Sequence, residues 1–456
     1  MKSDSVDIVV VGAGIVGISC AYYLALSRRH PRIAIIDPLP PMSLTSAASG
    51  ENYRNWWPHK VMTAFTDYSI DLMETLSQES NDRFHMTRRG YALATRHARP
   101  DALLRQLHEG YGADGAGRIR VHSKGSSPTY RPAVTAAWRE APEGVDVIQD
   151  RALLDACFPT FDKEVATVLH IRRAGDLSGQ QLGSFMLERI RAKGGSVIKG
   201  RVTHINRTRS FTLGVSSDDG PRSITADVIV NAAGPAVGAV ARLLGEDLPV
   251  FNVFQQKIAF EDARGAISRQ MPFAIDLDGQ VIDWTPQERA LLAEDPATAW
   301  LTEAMPGAIH CRPEGGDHGK WLKLGWAFNA TPSEPSTDLP LNPDFPEIVL
   351  RGASRLNPGL KAYYGRLPAR LSHYGGYYTM TKENWPLIGP MNTDGAFVAG
   401  ALSGFGTMAA CATGALCAKW VGEEPLPDFA HSLSLARYGD EALMKPLLES
   451  ESTGVL

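Results

Sequence analysis

Six residues near the start of the chain, Gly12-Ala13-Gly14-Ile15-Val16-Gly17, read G-x-G-x-x-G, and Asp37 follows twenty positions after the last glycine. These residue types at this spacing suit a dinucleotide. Gly12 permits a tight turn, Gly14 lets the backbone approach a pyrophosphate, and Gly17 lets a helix pack closely on a sheet. An acid at the position of Asp37 accepts hydrogen bonds from an adenosine ribose. Two later blocks have related character. Ala232-Ala233-Gly234-Pro235 carries side chains small enough for the backbone to touch a flat or phosphate-bearing ligand; a tight strand-to-helix turn without ligand is the alternative. Ser403-Gly404-Phe405-Gly406-Thr407 offers exposed amides at a helix start, suited to an anion or an electron-rich ring edge, or else simple close packing.

The elements that must position these blocks are legible from periodicity. Ile8 to Val11 is a β-branched run suited to a buried parallel strand, a helix runs from about Ile15 to Ser27, and Ile33 to Ile36 is a second strand. The helix directs its amide-rich, positive end at the phosphates. Strands are expected around Gly195–Ile205 and Asp227–Asn231, and Ala396–Gly400 leads through the last glycine block into a small-residue helix from Met408 to about Trp420. Residues 95–150 and 250–365 are richer in proline and charge, with strand-like pieces at Phe254–Phe260 and Trp321–Phe328, and read as insertions that build a separate lid or sheet.

With 456 residues the chain is expected to form two or three units at about 150 residues each. Its 44% hydrophobic and 21% charged content fit a globular protein, and a net charge of −4 without long charge runs disfavours nucleic acid or a membrane surface as partner. Cys20, Cys157, Cys311, Cys411 and Cys417 form no C-x-x-C pair and no metal-ligand spacing, so reduced thiols and a cytoplasmic location are expected, with no metal. The uncharged runs Ile8–Ser27 and Gly395–Ala418 are long enough to cross a bilayer, which takes about 20 residues. Each is broken by a glycine cluster and reads instead as a buried strand plus a buried helix. Asp4 and Asp7 before the first run are unlike a basic signal-peptide start, so no targeting segment is expected.

Four blocks taken together, VVVGAGIVGISCAYYLA (9–25), SAASGENYR (46–54), ADVIVNAAGPAVG (226–238) and YYTMTKENWPLIGP with FVAGALSGFGTM (377–408), resemble the D-amino-acid oxidase superfamily of flavoproteins, nearest the glycine oxidase, sarcosine oxidase and dimethylglycine dehydrogenase branch. The resemblance implies a fold that combines α/β and α+β parts: a Rossmann-like FAD-binding domain assembled from residues 1–94, 151–249 and 365–456, the last with a C-terminal helix, and an antiparallel-sheet substrate domain from 95–150 and 250–364. It implies FAD as cofactor. Gly12, Ala13, Gly14, Ile15, Val16 and Gly17 would face the pyrophosphate and Asp37 would hold the ribose. Ser46, Ser49, Gly50 and Asn52 would line the pyrophosphate and the ring, and Val202 would meet the adenine through its backbone. Ala233 and Gly234 would support the cofactor, with Gly404, Phe405, Gly406 and Thr407 at the pyrimidine edge of the flavin.

In such a family a C–H beside an amine nitrogen passes to flavin N5 as a hydride equivalent, giving an imine that water hydrolyses. Oxygen or an electron carrier then takes the electrons. Arg54 is the candidate to grip a substrate carboxylate through its bidentate guanidinium, or is a structural arginine. Tyr378 falls where relatives place substrate-facing groups, and His373 and His59 are possible polar contacts. Lys257 either holds a water or promotes oxygen reactivity near the ring, or is an exposed strand lysine. Trp56 and Trp57 either wall a pocket or pack in the core. Monomeric sarcosine oxidases attach flavin through a cysteine where this chain has Gly376, and carry a substrate-binding lysine where it has Met408. Glycine oxidases have an arginine where it reads His373-Tyr374-Gly375-Gly376. With Trp56, Trp57, Tyr374, Tyr377 and Tyr378, these departures favour a bulkier amine or amino acid than glycine or sarcosine. The rival expectations are a flavin-dependent hydroxy-acid dehydrogenase with His373 or His59 as base, and a flavin-bearing assembly protein without turnover.

Overall fold

Ile8–Val11, Ile33–Asp37 and Val228–Asn231 are β-branched runs without a polar alternation, as strands covered on both faces require. They form the middle of a six-stranded sheet. Its order in space is Ser196–Lys199, Ile33–Asp37, Ile8–Val11, Val228–Asn231, Ala396–Gly400 and Leu387–Pro390, with every pairing parallel except the last. Three distant parts of the chain thus supply one sheet. The computed structural model describes residues 2–27, 31–124, 129–133, 140–316 and 318–449.

Two helices cover one face of this sheet. Ile15–Ala25 and Gly406–Gly422 lie against each other, and both are built from small and apolar residues that permit close approach. They share one buried core with Lys60–Glu79 and Gly179–Ala192. The two apolar runs long enough for a bilayer are therefore each a strand and a helix of this layer. Among the described residues no helix is long and apolar enough to cross a membrane. The opposite face carries a four-stranded sheet, Lys2–Ser5, Arg222–Ala226, Phe211–Ser216 and Arg201–Arg207.

A nine-stranded, mainly antiparallel sheet stands beside this unit, in the order Leu371–Met380, Phe251–Glu261, Trp321–Gly325, Ile309–Glu314, Phe273–Asp276, Tyr91–Thr95, Thr167–Ile171, Val145–Ile148 and Ile119–His122. Three of these strands shift the expected domain limits. Tyr91–Thr95 straddles the limit at 94, Thr167–Ile171 lies inside the segment assigned to the cofactor domain, and Leu371–Met380 lies beyond the limit at 364. Each carries residues that pair with substrate-sheet neighbours, and composition does not register pairing. The outer limits 1 and 456 lie outside the described residues.

Alternation along these strands decides what faces the cofactor unit. Lys257 pairs with Tyr374 on one side and Gly325 on the other, His310 pairs with Gly325 and Ile275, and Phe273 pairs with Tyr91. Those positions share one face. Ile258, one residue along, pairs with His373 and belongs to the other face, which packs on helix Phe345–Ser354.

Candidate active site

A groove of about 1010 Å³ runs along the carboxyl ends of the parallel strands. Its first part is the turn after Ile8–Val11. Gly12 has φ +112°, and a Cβ there would stand 2.3 Å from the Ala232 carbonyl oxygen, so glycine is required twice over. Gly17 is required for packing: its added Cβ would meet the Gly12 carbonyl oxygen at 2.0 Å. Gly17 does not line the groove, so the expectation that it faces a pyrophosphate is corrected; the helix turns it inward against the strand.

Gly14 is different. It precedes helix Ile15–Ala25 without capping it through a side chain, and the nearest atom to a Cβ built there is the Ser46 hydroxyl at 3.2 Å. The groove therefore has room for a ligand group beside bare backbone at a helix N-terminus, the cradle that a pyrophosphate needs. Ser46 Oγ accepts from the Ile15 N–H at 3.0 Å. The Asp37 carboxylate accepts from the Ala13 and Leu39 N–H groups at 2.7 and 2.8 Å, which orients it at the groove wall. Val202, Ala233 and Gly234 line the same groove.

The far end of the groove is formed by the last glycine block. Helix Gly406–Gly422 begins there, again without a side-chain cap, and Thr407 Oγ1 shares a hydrogen bond of 2.9 Å with Ser49 Oγ. Ala401 and Ser403 hold φ values of +55° and +46°, left-handed backbone that costs non-glycine residues about 1 kcal/mol or more each. The Ser403 N–H donates to the Thr379 carbonyl at 2.9 Å and pins the turn to the substrate sheet. Gly404, Gly406, Thr407, Tyr378 and Lys257 converge here.

A smaller pocket of about 70 Å³ opens at this end, between the last glycine block and the substrate sheet. Gly50, Asn52 and Phe405 line this pocket and not the long groove, which sets them at the ring end and away from the pyrophosphate end. Arg54 lines it too, 1% exposed, at the end of the short strand Asn52–Arg54. Its Nε donates to the Trp56 carbonyl at 3.0 Å, and its guanidinium lies 4.8 Å from the Trp57 ring centre and 5.7 Å from that of Tyr91. Burial pulls its pKa down to about 10. Lys257 is 7% exposed, donates from Nζ to the Ala48 carbonyl at 3.3 Å and stands 5.5 Å from the Tyr378 ring centre. It is the buried lysine of the two alternatives. Glu51 also borders the pocket, but its carboxylate accepts from the Gly179 N–H at 2.9 Å and lies 3.5 Å from Lys323.

Other candidates are elsewhere. His373 is on the opposite face of the sheet, stacked on Phe345 at 5.7 Å and bonded to Gln256 at 3.0 Å, because alternation along Leu371–Met380 turns it away from the face that Tyr374 shares with Lys257. His59 caps helix Lys60–Glu79 through Nδ1 and packs edge-on against Trp385. Trp56 is a core residue, whereas Trp57 reaches the pocket. Tyr377 spends its hydroxyl on the Ser336 N–H, and Tyr374 borders a different cavity. The five aromatics thus do not form one wall, which removes their support for a bulky substrate. Sequence reasoning missed Tyr91, Phe273, His310 and Asn384 as pocket residues. His310 is held neutral, its pKa lowered to about 3 by burial and by the Lys257 charge. His310 and Phe273 share a sheet face with Lys257, a signal that only the pairing register reveals.

Two helix N-termini, an oriented acid and a groove this long define an oxidoreductase fold for a dinucleotide with a flat ring at its far end. The chain matches the DAO family, described as FAD dependent oxidoreductase, over residues 7–420, and it belongs to that family. It is an FAD-dependent oxidoreductase, and the groove is where FAD fits. Similar proteins include an uncharacterised oxidoreductase, YurR, of Bacillus subtilis, 27% identical over 259 residues, which are 56% of this chain and 61% of that protein. Among solved structures, glycine oxidase from Geobacillus kaustophilus is similar with TM-score 0.70 and 17% identity, covering 95% of this chain and 99% of that one. L-proline dehydrogenase from P. horikoshii has TM-score 0.70 and 17% identity, with coverages of 96% and 99%. Iminodiacetate oxidase from Chelativorans sp. has TM-score 0.65 and 19% identity, with coverages of 92% and 97%. At these identities the structures speak for the fold alone.

Proposed function

We propose that the protein oxidises the C–N bond of a compact amino acid or secondary amine that carries a carboxylate. The observation that carries this reading is the pair of buried cations, Arg54 and Lys257, on a pocket of about 70 Å³ at the ring end of the FAD groove. Bound FAD supplies the acceptor for a hydride equivalent. Everything else falls to the chain.

Arg54 presents a planar fork to the substrate carboxylate, desolvated and therefore strong. Both cations also disfavour a positive charge on the substrate nitrogen, so the amine is held neutral, with its lone pair free to assist loss of the hydride. Trp57, Tyr91, Phe273 and Tyr378 exclude water and set the orientation of the reacting carbon. The product is an imine, which water converts to a carbonyl compound and an amine. The hydroxy-acid alternative needs a base at the alcohol, and neither His373 nor His59 borders the pocket. His310 does border it; its lowered basicity makes it a poor proton acceptor near neutrality.

Anaerobic titration of the FAD-loaded protein tests the reading. Glycine, sarcosine, proline and alanine are compared with their decarboxylated amines and with phenylalanine, and the flavin absorbance is followed. Bleaching by a compact carboxylated amine is expected. Equal bleaching by amines without a carboxylate, or none with any amine, would refute it.

A further inference from the structure

A second cavity, of about 880 Å³, flanks the FAD groove. Residues of the Leu39–Ser49 segment line both spaces, and so do Gly376 and Tyr377. At the ring end the partition is thin. A Cβ added to Gly376 would stand 3.2 Å from the Ala48 methyl, so one methyl and one bare strand separate the two spaces.

The lining of this cavity has a definite chemistry. Leu44, Leu339 and Trp321 give it apolar walls, with Trp321 at the mouth, 37% exposed. The Tyr374 hydroxyl is buried and has no hydrogen-bond partner among the described residues. Burial raises its pKa, so it stays protonated and donates. Lys323 is a second donor, and its charge is already balanced by Glu314 at 2.9 Å and Glu51 at 3.5 Å. The lining therefore offers hydrogen bonds without the uncompensated cation that a carboxylate or a phosphate requires. The complementary ligand has an apolar, uncharged body and acceptor oxygens for the Tyr374 and Lys323 donors.

We propose that this cavity docks a quinone-class electron acceptor, which reoxidises the cofactor across the Ala48–Gly376 partition. The inference rests on the reading above in one respect, that the flavin is reduced in each turnover. The quinone gains two electrons and two protons and becomes the hydroquinone. The electrons and one proton come from reduced FAD, the other proton comes from solvent, and oxidised FAD is restored.

The test uses holoenzyme reduced anaerobically with dithionite, so that no amine substrate is involved. Menadione or oxygen is then mixed in and the return of flavin absorbance is timed. Ser372 lines the cavity and is solvent-exposed, so Ser372→Trp obstructs part of the space without disturbing the core. Wild type is expected to reoxidise with a rate that saturates in menadione. Ser372→Trp should slow that reaction about tenfold, the equivalent of one lost aromatic contact, and leave the oxygen reaction and the bound-flavin spectrum unchanged. Tyr374→Phe should weaken menadione saturation with the same sparing of oxygen. Equal menadione rates in wild type and both variants, a rate that never saturates, or parallel loss with menadione and oxygen would overturn the proposal. Because dithionite replaces the amine, failure of the amine titration leaves this result intact, and failure here leaves the amine reading intact.

Discussion

Gly14→Ala separates what the first glycine block does for the fold from what it does for FAD. Gly14 has φ −72° and ψ 173°, extended backbone that alanine adopts without strain. The new methyl meets only the Ser46 hydroxyl, at 3.2 Å, and that group can give by a few tenths of an ångström. The apoprotein should therefore be unchanged or gain up to about 1 kcal/mol, because alanine narrows the unfolded ensemble. The methyl nevertheless enters the space beside the helix N-terminus that would hold the pyrophosphate of FAD. Losing one backbone hydrogen bond to a charged group costs about 1.5–3 kcal/mol, which corresponds to about 10- to 100-fold in FAD affinity. Urea unfolding of the apoprotein gives the first quantity, and fluorescence titration with FAD gives the second. A fall of more than about 1 kcal/mol in apoprotein stability, or FAD affinity equal to wild type, would refute the reasoning. Gly17→Ala is the internal contrast: with the Gly12 carbonyl 2.0 Å from the added Cβ, it should lower stability outright.

Other expectations concern charge. Arg54→Met should raise KM for the carboxylated amine by about 10- to 100-fold, the worth of a charge-assisted pair, and leave FAD binding intact. Since the Arg54 pKa is lowered to about 10, its charge is lost as pH rises through that value, and kcat/KM of wild type should fall above about pH 10 in steady-state assays. His170 and His310 are buried with pKa values lowered to about 3, so the unfolded chain binds more protons than the native one between pH 3 and 6.5. Stability should be full above pH 6.5 and decline as pH falls through this window, by up to about 1.4 kcal/mol per unit for each histidine, measured by denaturant unfolding. Arg312, 4% exposed, ties the Gly50 carbonyl at 3.0 Å to Asp176 at 3.4 Å and Glu314 at 2.8 Å. Arg312→Met frees the Gly50 carbonyl and takes one partner from each carboxylate, leaving Glu314 with Lys323 at 2.9 Å and Asp176 with the Thr87 hydroxyl at 3.1 Å. It should cost about 1.5–3 kcal/mol by urea unfolding and speed FAD release in a dilution assay.

The cofactor half of the site was legible because its requirements are local. A turn too tight for any Cβ at Gly12, a helix that must touch a strand at Gly17, and an acid closing the next strand at Asp37 all lie within one continuous stretch. The same held for Ala233–Gly234 and for Gly404–Thr407, each a strand, a small-residue turn and a helix start. The substrate half was only partly legible. Arg54 and Lys257 were singled out by residue type and reach the pocket, whereas His373, equally polar and only five residues from Tyr378, faces helix Phe345–Ser354 instead.

The amino-acid sequence by itself determined the class of cofactor, the three separated pieces that build the groove and the strand-then-helix order at each, since those depend on contacts between near neighbours along the chain. Only the tertiary structure decided which side chains meet at the small pocket beside the last glycine block. That depends on the register of nine strands drawn from residues 91 to 380, and a shift of one residue would exchange Lys257 for Ile258 and His310 for Cys311 on the face toward FAD.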